Sequence, residues 1–307
     1  MAKVEDCVRR YLWPLPHLQR QAVVMIDGKM SHGGLTDRFR HILSVYSYCK
    51  DNGIPFRLYY VYPCDLTDIL VPAGYDWRIR PDQLSRHFLD SGEIDLYVDK
   101  EGCDEEFNAR HLGALDEAFG RTWPRQYRIY GNAFFGKGRY RDLFNELFRP
   151  SPYLEERINR YAEVMDEPYE SITLRFQRLL GDFDEGNYPI LSPEGQNDLI
   201  RRCADKVDEL YCHGYFHTGK VLITSDSVRF LNHMAQRNYV YTIPGKLEHM
   251  DYTQNPDLEI NAKPFIDLFL LREASRLTLL QTGDMYRSGF PAFAAELGGK
   301  PYQEILF

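Results

Sequence analysis

The 307-residue sequence has no C-x-x-C pair, and its six cysteines (Cys7, Cys49, Cys64, Cys103, Cys203, Cys212) are too scattered for a short disulfide ladder. In a chain this long, such usage reads as reduced, mostly buried thiols in a reducing compartment. There is no apolar run of about 18 residues, so no segment reads as a membrane-spanning helix. The opening stretch MAKVEDCVRRYLWPL is charged and proline-broken, without the apolar region of a signal peptide. The expectation is a cytoplasmic protein with at most a peripheral membrane contact. Basic residues do not prevail: 37 Lys+Arg stand against 45 Asp+Glu, a net charge of −8. That balance excludes a general nucleic-acid binder, which needs a basic face to displace counterions. Repeats and low-complexity stretches are absent. So are G-x-G-x-x-G, the Walker lysine, the G-x-S-x-G elbow and the kinase set, which removes support for standard dinucleotide, ATP and serine-hydrolase chemistry.

What is present is an ordinary globular composition, 44% hydrophobic and 27% charged, in a chain of two-domain length. Aromatic residues reach 14%, with 22 tyrosines, 18 phenylalanines and 3 tryptophans. A tyrosine ring with its polar tip suits interfaces and sugar-binding clefts, although paving of half-buried positions accounts for most of them.

Order along the chain is informative. AVVMID (22–27) is a short β-branched run, followed by a GKMSHGGL loop and then helical spacing over 36–52 that ends at Gly53. PFRLYYVYP (55–63) follows as a strand. The connection is too long for a hairpin, so this is a βαβ unit and implies a parallel sheet. Weaker strand signals recur at 94–99 and 126–132. LFRPSPYL (147–154) interrupts a helical stretch with two prolines and a serine, and the expected domains are 1–150 and 151–307. The second half alternates again: strand 171–176, a helix from Ser192-Pro193-Glu194 to about Cys212, strand 220–226, strand 239–243, helix 263–275, strand 276–282 and a glycine-closed helix from Phe290. The fold class expected is α/β, two doubly wound Rossmann-like domains facing a central cleft suited to a nucleotide-like ligand.

Several residues sit where such folds do chemistry. Gly33 and Gly34 lie between a strand's carboxyl end and a helix's amino end, where free N–H groups attract an anion; a simple turn reads the same. Arg175 ends the SITLRF strand, a place for a phosphate contact or for an ordinary salt bridge. Asp226 in ITSDS has the same address, for a ribose or base or for capping the next helix. Ser288 in YRSGFPAF precedes a helix and reads as a phosphate donor or an N-cap. FGKGR (135–139) reads as a solvated loop. Asp182-Phe183-Asp184 mimics a metal-binding D-x-D, though its glycine flanks favour an exposed turn. Cys212, His213 and His217 have near-helical zinc spacing, broken by Gly214 and lacking a fourth ligand. No metal site is expected.

Taken in order, GGLTDRFRHILSVYSYC, LFRPSPYL, SITLRFQ, VLITSDS and KPFIDLFLLREASRL…RSGFPAFAAELGGKPY resemble the fucosyltransferase superfamily, which includes nodulation, α-1,2, α-1,6 and protein O-fucosyltransferases. The resemblance covers most of the chain in motif order. It implies a GT-B-like fold, a C-terminal domain that binds GDP-fucose, an N-terminal acceptor-side domain, anomeric inversion, no cofactor and no metal. The family's H-x-R matches Thr173-Leu174-Arg175, with Thr173 in place of histidine and Phe176 in place of a second arginine. The resemblance places Asp226 near the nucleoside, Asp267 at the guanine, Ser288 and Phe290 in the phosphate motif, and Gly33, Gly34 and Arg38 at the glycine loop. It implies Arg175 as the residue that stabilises the leaving pyrophosphate, and Asp37, with His32 next, as the base. The expected activity is transfer of fucose to a glycan or polysaccharide. A degenerate nucleotide-sugar or glycan binder, and a metal-dependent glycosyltransferase using another donor, are the competing readings.

Overall fold

Six consecutive buried residues, QAVVMI, form β1 (Gln21–Ile26), a central parallel strand that needs apolar side chains on both faces. The structure is a computed structural model that describes residues 19–97, 105–135, 139–165, 168–186, 188–253, 255, 257–283 and 285–307. The chain divides into two compact units, Met1–Arg149 and Pro150–Phe307.

In the first unit β1 is followed by α1 (Leu35–Asp51) and β2 (Phe56–Tyr60). The short β3 (Leu70–Pro72) comes next, then β4 (Ser91–Leu96), α2 (Glu105–Gly120), β5 (Gln126–Gly131) and α3 (Tyr140–Leu147). The main sheet has the order β2-β1-β5-β4, all parallel. A two-stranded piece joins β3 to β6 (Phe148–Pro150), the strand on which this unit ends. β2 alternates buried and half-buried residues, as an edge strand does. α1 is buried nearly all round, including Phe39, Ile42, Leu43, Val45 and Cys49. Gly131 at the end of β5 is required by close approach, since a Cβ there would lie 2.0 Å from Leu96 O and 2.9 Å from His41.

The second unit runs α4 (Pro152–Met165), β7 (Glu170–Leu174), α5 (Pro193–Cys212), β8 (Val221–Ser225), α6 (Val228–Met234), β9 (Val240–Thr242), α7 (Leu258–Glu273), β10 (Leu277–Gln281), α8 (Phe290–Gly298) and β11 (Tyr302–Leu306). Its sheet has the order β11-β10-β7-β8-β9, again all parallel. Chain order therefore reverses at β7, and the switch point lies between β7 and β10, outside their carboxyl ends. β7 and β8 are buried at every position, and Ile172, Leu174, Ile223, Phe230 and Leu280 share one core. Ser192 caps α5, accepting from Gly195 N at 3.2 Å.

The α/β expectation of two parallel-sheet units holds. Strand ends differ from the sequence reading: β7 stops at Leu174 and β8 at Ser225, so Arg175 and Asp226 are the first residues beyond their strands. β4 begins at Ser91, three residues before the expected start. α2 and β11 had no counterpart in the sequence reading. Residues 98–99 of the strand expected over 94–99, and 136–138 of FGKGR, lie outside the described residues. No helix among the described residues is long and apolar enough to cross a membrane.

Candidate functional site

At the switch point of the second unit, Arg175 leaves β7 with its side chain 21% exposed. Its Nε lies 3.3 Å from Asp226 Oδ2, and an outer nitrogen lies 2.5 Å from Glu185 Oε2. The guanidinium plane is set over the Phe183 ring, 4.5 Å from its centroid, a contact that fixes its orientation. Asp226 has no exposed side-chain surface. It accepts from the amides of Phe176 at 2.9 Å and Gln177 at 2.7 Å. These bonds hold Gln177 at φ 51°, a left-handed conformation that costs a side-chain-bearing residue about 1 kcal/mol. Burial pushes the Asp226 carboxyl up, against the opposing pull of Arg175 and the two amides.

Glu185 reaches a third group. Its Oε1 lies 3.5 Å from His249 Nε2, on the segment between β9 and α7. His249 Nδ1 accepts from Asp251 N at 3.3 Å, so the neutral ring carries its proton on Nε2, facing Glu185. The sequence reading singled out neither residue. Glu185 lies beside the D-x-D stretch and gives no independent signal, and His249 stands in a segment without periodicity.

Ser288 lies between β10 and α8. It is 8% exposed, and its Oγ accepts from Phe290 N at 3.3 Å in the turn that leads into α8, whose N-cap is Gly289, so the N-cap reading of Ser288 does not hold. The same β10–α8 connection contacts the arginine's backbone, with Tyr286 N donating to Arg175 O at 3.3 Å. The structure thus brings Arg175, Asp226 and the Ser288 loop to one switch point.

Two donor-side candidates are placed differently. Thr173 faces inward, its Oγ1 2.8 Å from Thr224 Oγ1, and Phe176 is 0% exposed. Asp267 lies in the middle of α7, 1% exposed, with both oxygens 2.6 Å from Lys263 Nζ. Burial raises its carboxyl and Lys263 lowers it. In this conformation Asp267 is a buried helix ion pair rather than a group offered to a base. The reason is the i, i+4 lysine on a helix otherwise packed with Phe265, Ile266, Leu268 and Leu270.

The glycine loop of the first unit is built by Arg38. This 0%-exposed side chain donates from Nε to Gly33 O at 2.9 Å and from one terminal nitrogen to Tyr60 Oη at 3.0 Å and Tyr62 O at 2.7 Å. Arg38 is therefore a clamp on the loop, with Tyr60 and Tyr62 flanking its guanidinium. Gly33 has φ 74°, and a Cβ there would lie 2.9 Å from Asp37 Cβ. Gly34 starts α1, with open space where its side chain would be. Asp37 stands half-exposed in the helix's first turn. His32 is 0% exposed, and its Nε2 accepts from Gly28 N at 3.3 Å. That bond occupies the lone pair a general base needs, so His32 does not fit the role expected for it. A separate cavity of about 350 Å³ opens in this unit beside Lys29, Arg86, Phe88, Glu93 and Arg128. None of the sequence candidates lines it.

The metal-like patterns diverge. Asp182 Oδ2 accepts from Ser227 Oγ at 2.8 Å and Arg229 N at 3.0 Å, tying down the start of α6, whereas Asp184 is 91% exposed. His213 is 76% exposed at the end of α5, and His217 lies beyond it in a turn.

Among solved structures, the chain is similar to NodZ α-1,6-fucosyltransferase soaked with GDP-fucose, at 14% identity and TM-score 0.57, over 91% of this chain and 93% of that one. NodZ from Bradyrhizobium matches at 13% identity and TM-score 0.55, over 90% and 93%. A variant of Arabidopsis thaliana FUT1 in complex with GDP matches at 14% identity and TM-score 0.56, over 99% of this chain and 73% of that one. POFUT1 in complex with GDP matches at 12% identity and TM-score 0.52, over 94% and 98%. The chain has the fold of these fucosyltransferases. No protein-family model matches it, and no curated protein sequence does. The fucosyltransferase-like fold is thus carried by architecture at low identity.

Proposed function

We propose that the protein is an inverting, metal-independent glycosyltransferase that moves fucose from GDP-fucose to a hydroxyl of a glycan or polysaccharide in the cytoplasm. The observation that carries this reading is the placement of Arg175. A fixed guanidinium stands at the carboxyl end of β7, at the switch point of a parallel sheet, in a fold whose solved neighbours were captured with GDP or GDP-fucose.

The chemistry follows from charge development. As the bond from the sugar carbon to the β-phosphate oxygen breaks, negative charge grows on the diphosphate and positive charge on the sugar ring. Arg175 would stabilise the leaving charge through its fork of N–H donors, helped by Ser288 and the amino end of α8. The acceptor hydroxyl attacks from the opposite face and inverts the anomeric carbon. Asp37 is the candidate base for its proton, because His32 already spends its Nε2 on Gly28. The unit Met1–Arg149 takes the acceptor side and Pro150–Phe307 the donor.

A thermal-shift panel of GDP, UDP, ADP and CMP tests the donor, since a ligand that binds the native state raises the melting temperature, and at equal concentration the tighter ligand raises it more. GDP should give the largest shift, and Arg175→Ala should abolish it. A preference for UDP, or no shift with any nucleotide, rejects the assignment.

A second reading is a nucleotide-sugar binder without turnover. It is favoured by Thr173 and Phe176, both turned into the core where the related motif has histidine and a second arginine. Release of GDP from donor without acceptor separates the two: an enzyme leaks slowly, whereas a binder releases none. Turnover that survives EDTA removes the metal-dependent alternative built on Asp182 and Asp184.

A further inference from the structure

Arg175 has two carboxylates on one guanidinium, and they are not equivalent. Asp226 is anchored: it is fully buried and holds two backbone amides, so moving it would break the turn after β7. Glu185 is on the connection between β7 and α5 and makes its close contact, 2.5 Å, to the outer edge of the fork. That outer edge is the part an incoming phosphate needs, because planar bidentate recognition uses the terminal N–H groups. With both carboxylates in place, two negative charges sit against one positive charge. An added diphosphate would meet net repulsion. His249 offers a way out. Its Nε2 lies 3.5 Å from the other Glu185 oxygen, and the Asp251 amide donates to Nδ1.

We propose that Glu185 is a displaceable counter-ion that stands in for the donor diphosphate on Arg175 and transfers to His249 when the diphosphate binds. This rests on the reading of Arg175 as the diphosphate site. Glu185 is then a positioning residue: it keeps the partly desolvated guanidinium satisfied and in place when no nucleotide is bound, and it sets the affinity through competition. The exchange makes and breaks no covalent bond. One ion pair, Arg175 with Glu185, is replaced by Arg175 with phosphate and Glu185 with His249. Discrimination follows as well. A ligand with only weak negative charge cannot displace the carboxylate, so nucleosides gain nothing from Arg175.

The test is calorimetric titration of GDP and of guanosine into the full-length protein, as wild type and as the E185Q, E185D, H249L and R175A variants. E185Q removes the competing charge with little change of shape and should bind GDP about tenfold more tightly, the size expected for releasing one charged hydrogen bond. Guanosine affinity should stay unchanged in E185Q, and E185D should return GDP affinity toward wild type. H249L should weaken GDP several-fold by removing the new partner of Glu185. A merely structural role for Glu185 predicts weaker binding in E185Q, and that result, or an equal change for GDP and guanosine, overturns the proposal. If the E185Q protein is poorly folded by circular dichroism, the H249L titration decides: unchanged GDP affinity there also overturns it. Loss of GDP binding in R175A upholds the underlying site while these outcomes are read. GDP binding unaffected in R175A instead rejects that site, and the proposal with it.

Discussion

Arg175 Nε and Asp226 Oδ2 lie 3.3 Å apart, joining the residue that follows β7 to the residue that follows β8 across neighbouring parallel strands. The carboxylate uses its remaining capacity on the Phe176 and Gln177 amides. It therefore shapes the turn as well as the arginine. Asp226→Asn would leave one oxygen for two amides and set a side-chain NH₂ against an amide donor in a fully buried place. The expected cost is about 2–4 kcal/mol of folding stability, read as a lower urea midpoint, together with weakened GDP binding. A variant as stable as wild type would show that the turn does not depend on this carboxylate.

Much of this was legible in the sequence, and the failures have physical causes. SITLRF and VLITSDS announce central strands because the positions before Arg175 and Asp226 are apolar or small, and the strand ends then locate those two residues. The glycine loop is legible from its place between β1 and α1. What one side chain does to another across the fold is not. Asp267 looks like a ligand residue until Lys263 is seen to pair with it, and Arg38 looks like a site cation until it is seen donating to Gly33 in the loop, to Tyr60 at the end of β2 and to Tyr62 just beyond. Glu185 and His249 are 64 residues apart (249 − 185) in irregular segments, so neither periodicity nor a motif links them. β11, with its exposed and half-buried pattern, lacks the apolar run that marks an inner strand.

The Lys263–Asp267 pair yields a double-mutant test. Both side chains are nearly inaccessible, at 5% and 2%. Lys263→Met would leave a buried carboxylate without its counter-ion, and about 3–5 kcal/mol of destabilisation is expected. Adding Asp267→Leu should recover most of it, since an apolar pair of similar volume suits the surrounding core. Denaturant curves of the two single variants and the double variant check this. Equal destabilisation in the single and double variants would mean that Asp267 has partners the pair does not account for. Loss of GDP binding in a stable double variant would return Asp267 to the nucleotide site.

Arg38 should be intolerant even of lysine. Its planar fork spans Gly33 O, Tyr60 Oη and Tyr62 O, and a single ammonium cannot reach all three. Arg38→Lys is expected to cost about 2 kcal/mol and Arg38→Met more, because buried acceptors lose their donors. Faster amide exchange at Gly34 and Leu35 in the lysine variant would place the damage in the loop. Exchange that stays at the wild-type rate there, with stability unchanged, rules out the clamp.

His41 sets an acid limit on stability. The ring is fully buried, Nδ1–H donates to Ala133 O at 2.8 Å, and Nε2 makes no hydrogen bond among the described residues. Burial is the main cause that pulls its pKa down from 6.5 to about 4. The Ala133 bond opposes this, and His32 and His111 add to the lowering. The folded value lies below the unfolded one, so the unfolded chain binds the extra proton first. The stability tied to the neutral ring is complete above pH 6.5 and is lost as the pH falls toward 4, by about 3 kcal/mol in total. Most carboxylates titrate below pH 5, but the buried Asp226 and Asp267 are raised, so in the interval from 6.5 to 5 it is the difference from a His41 variant that isolates this histidine. Urea midpoints measured across that interval should fall steeply for the wild type and less for His41→Gln, which can still donate to Ala133 but cannot charge. Parallel curves for the two proteins would assign the acid sensitivity to another group.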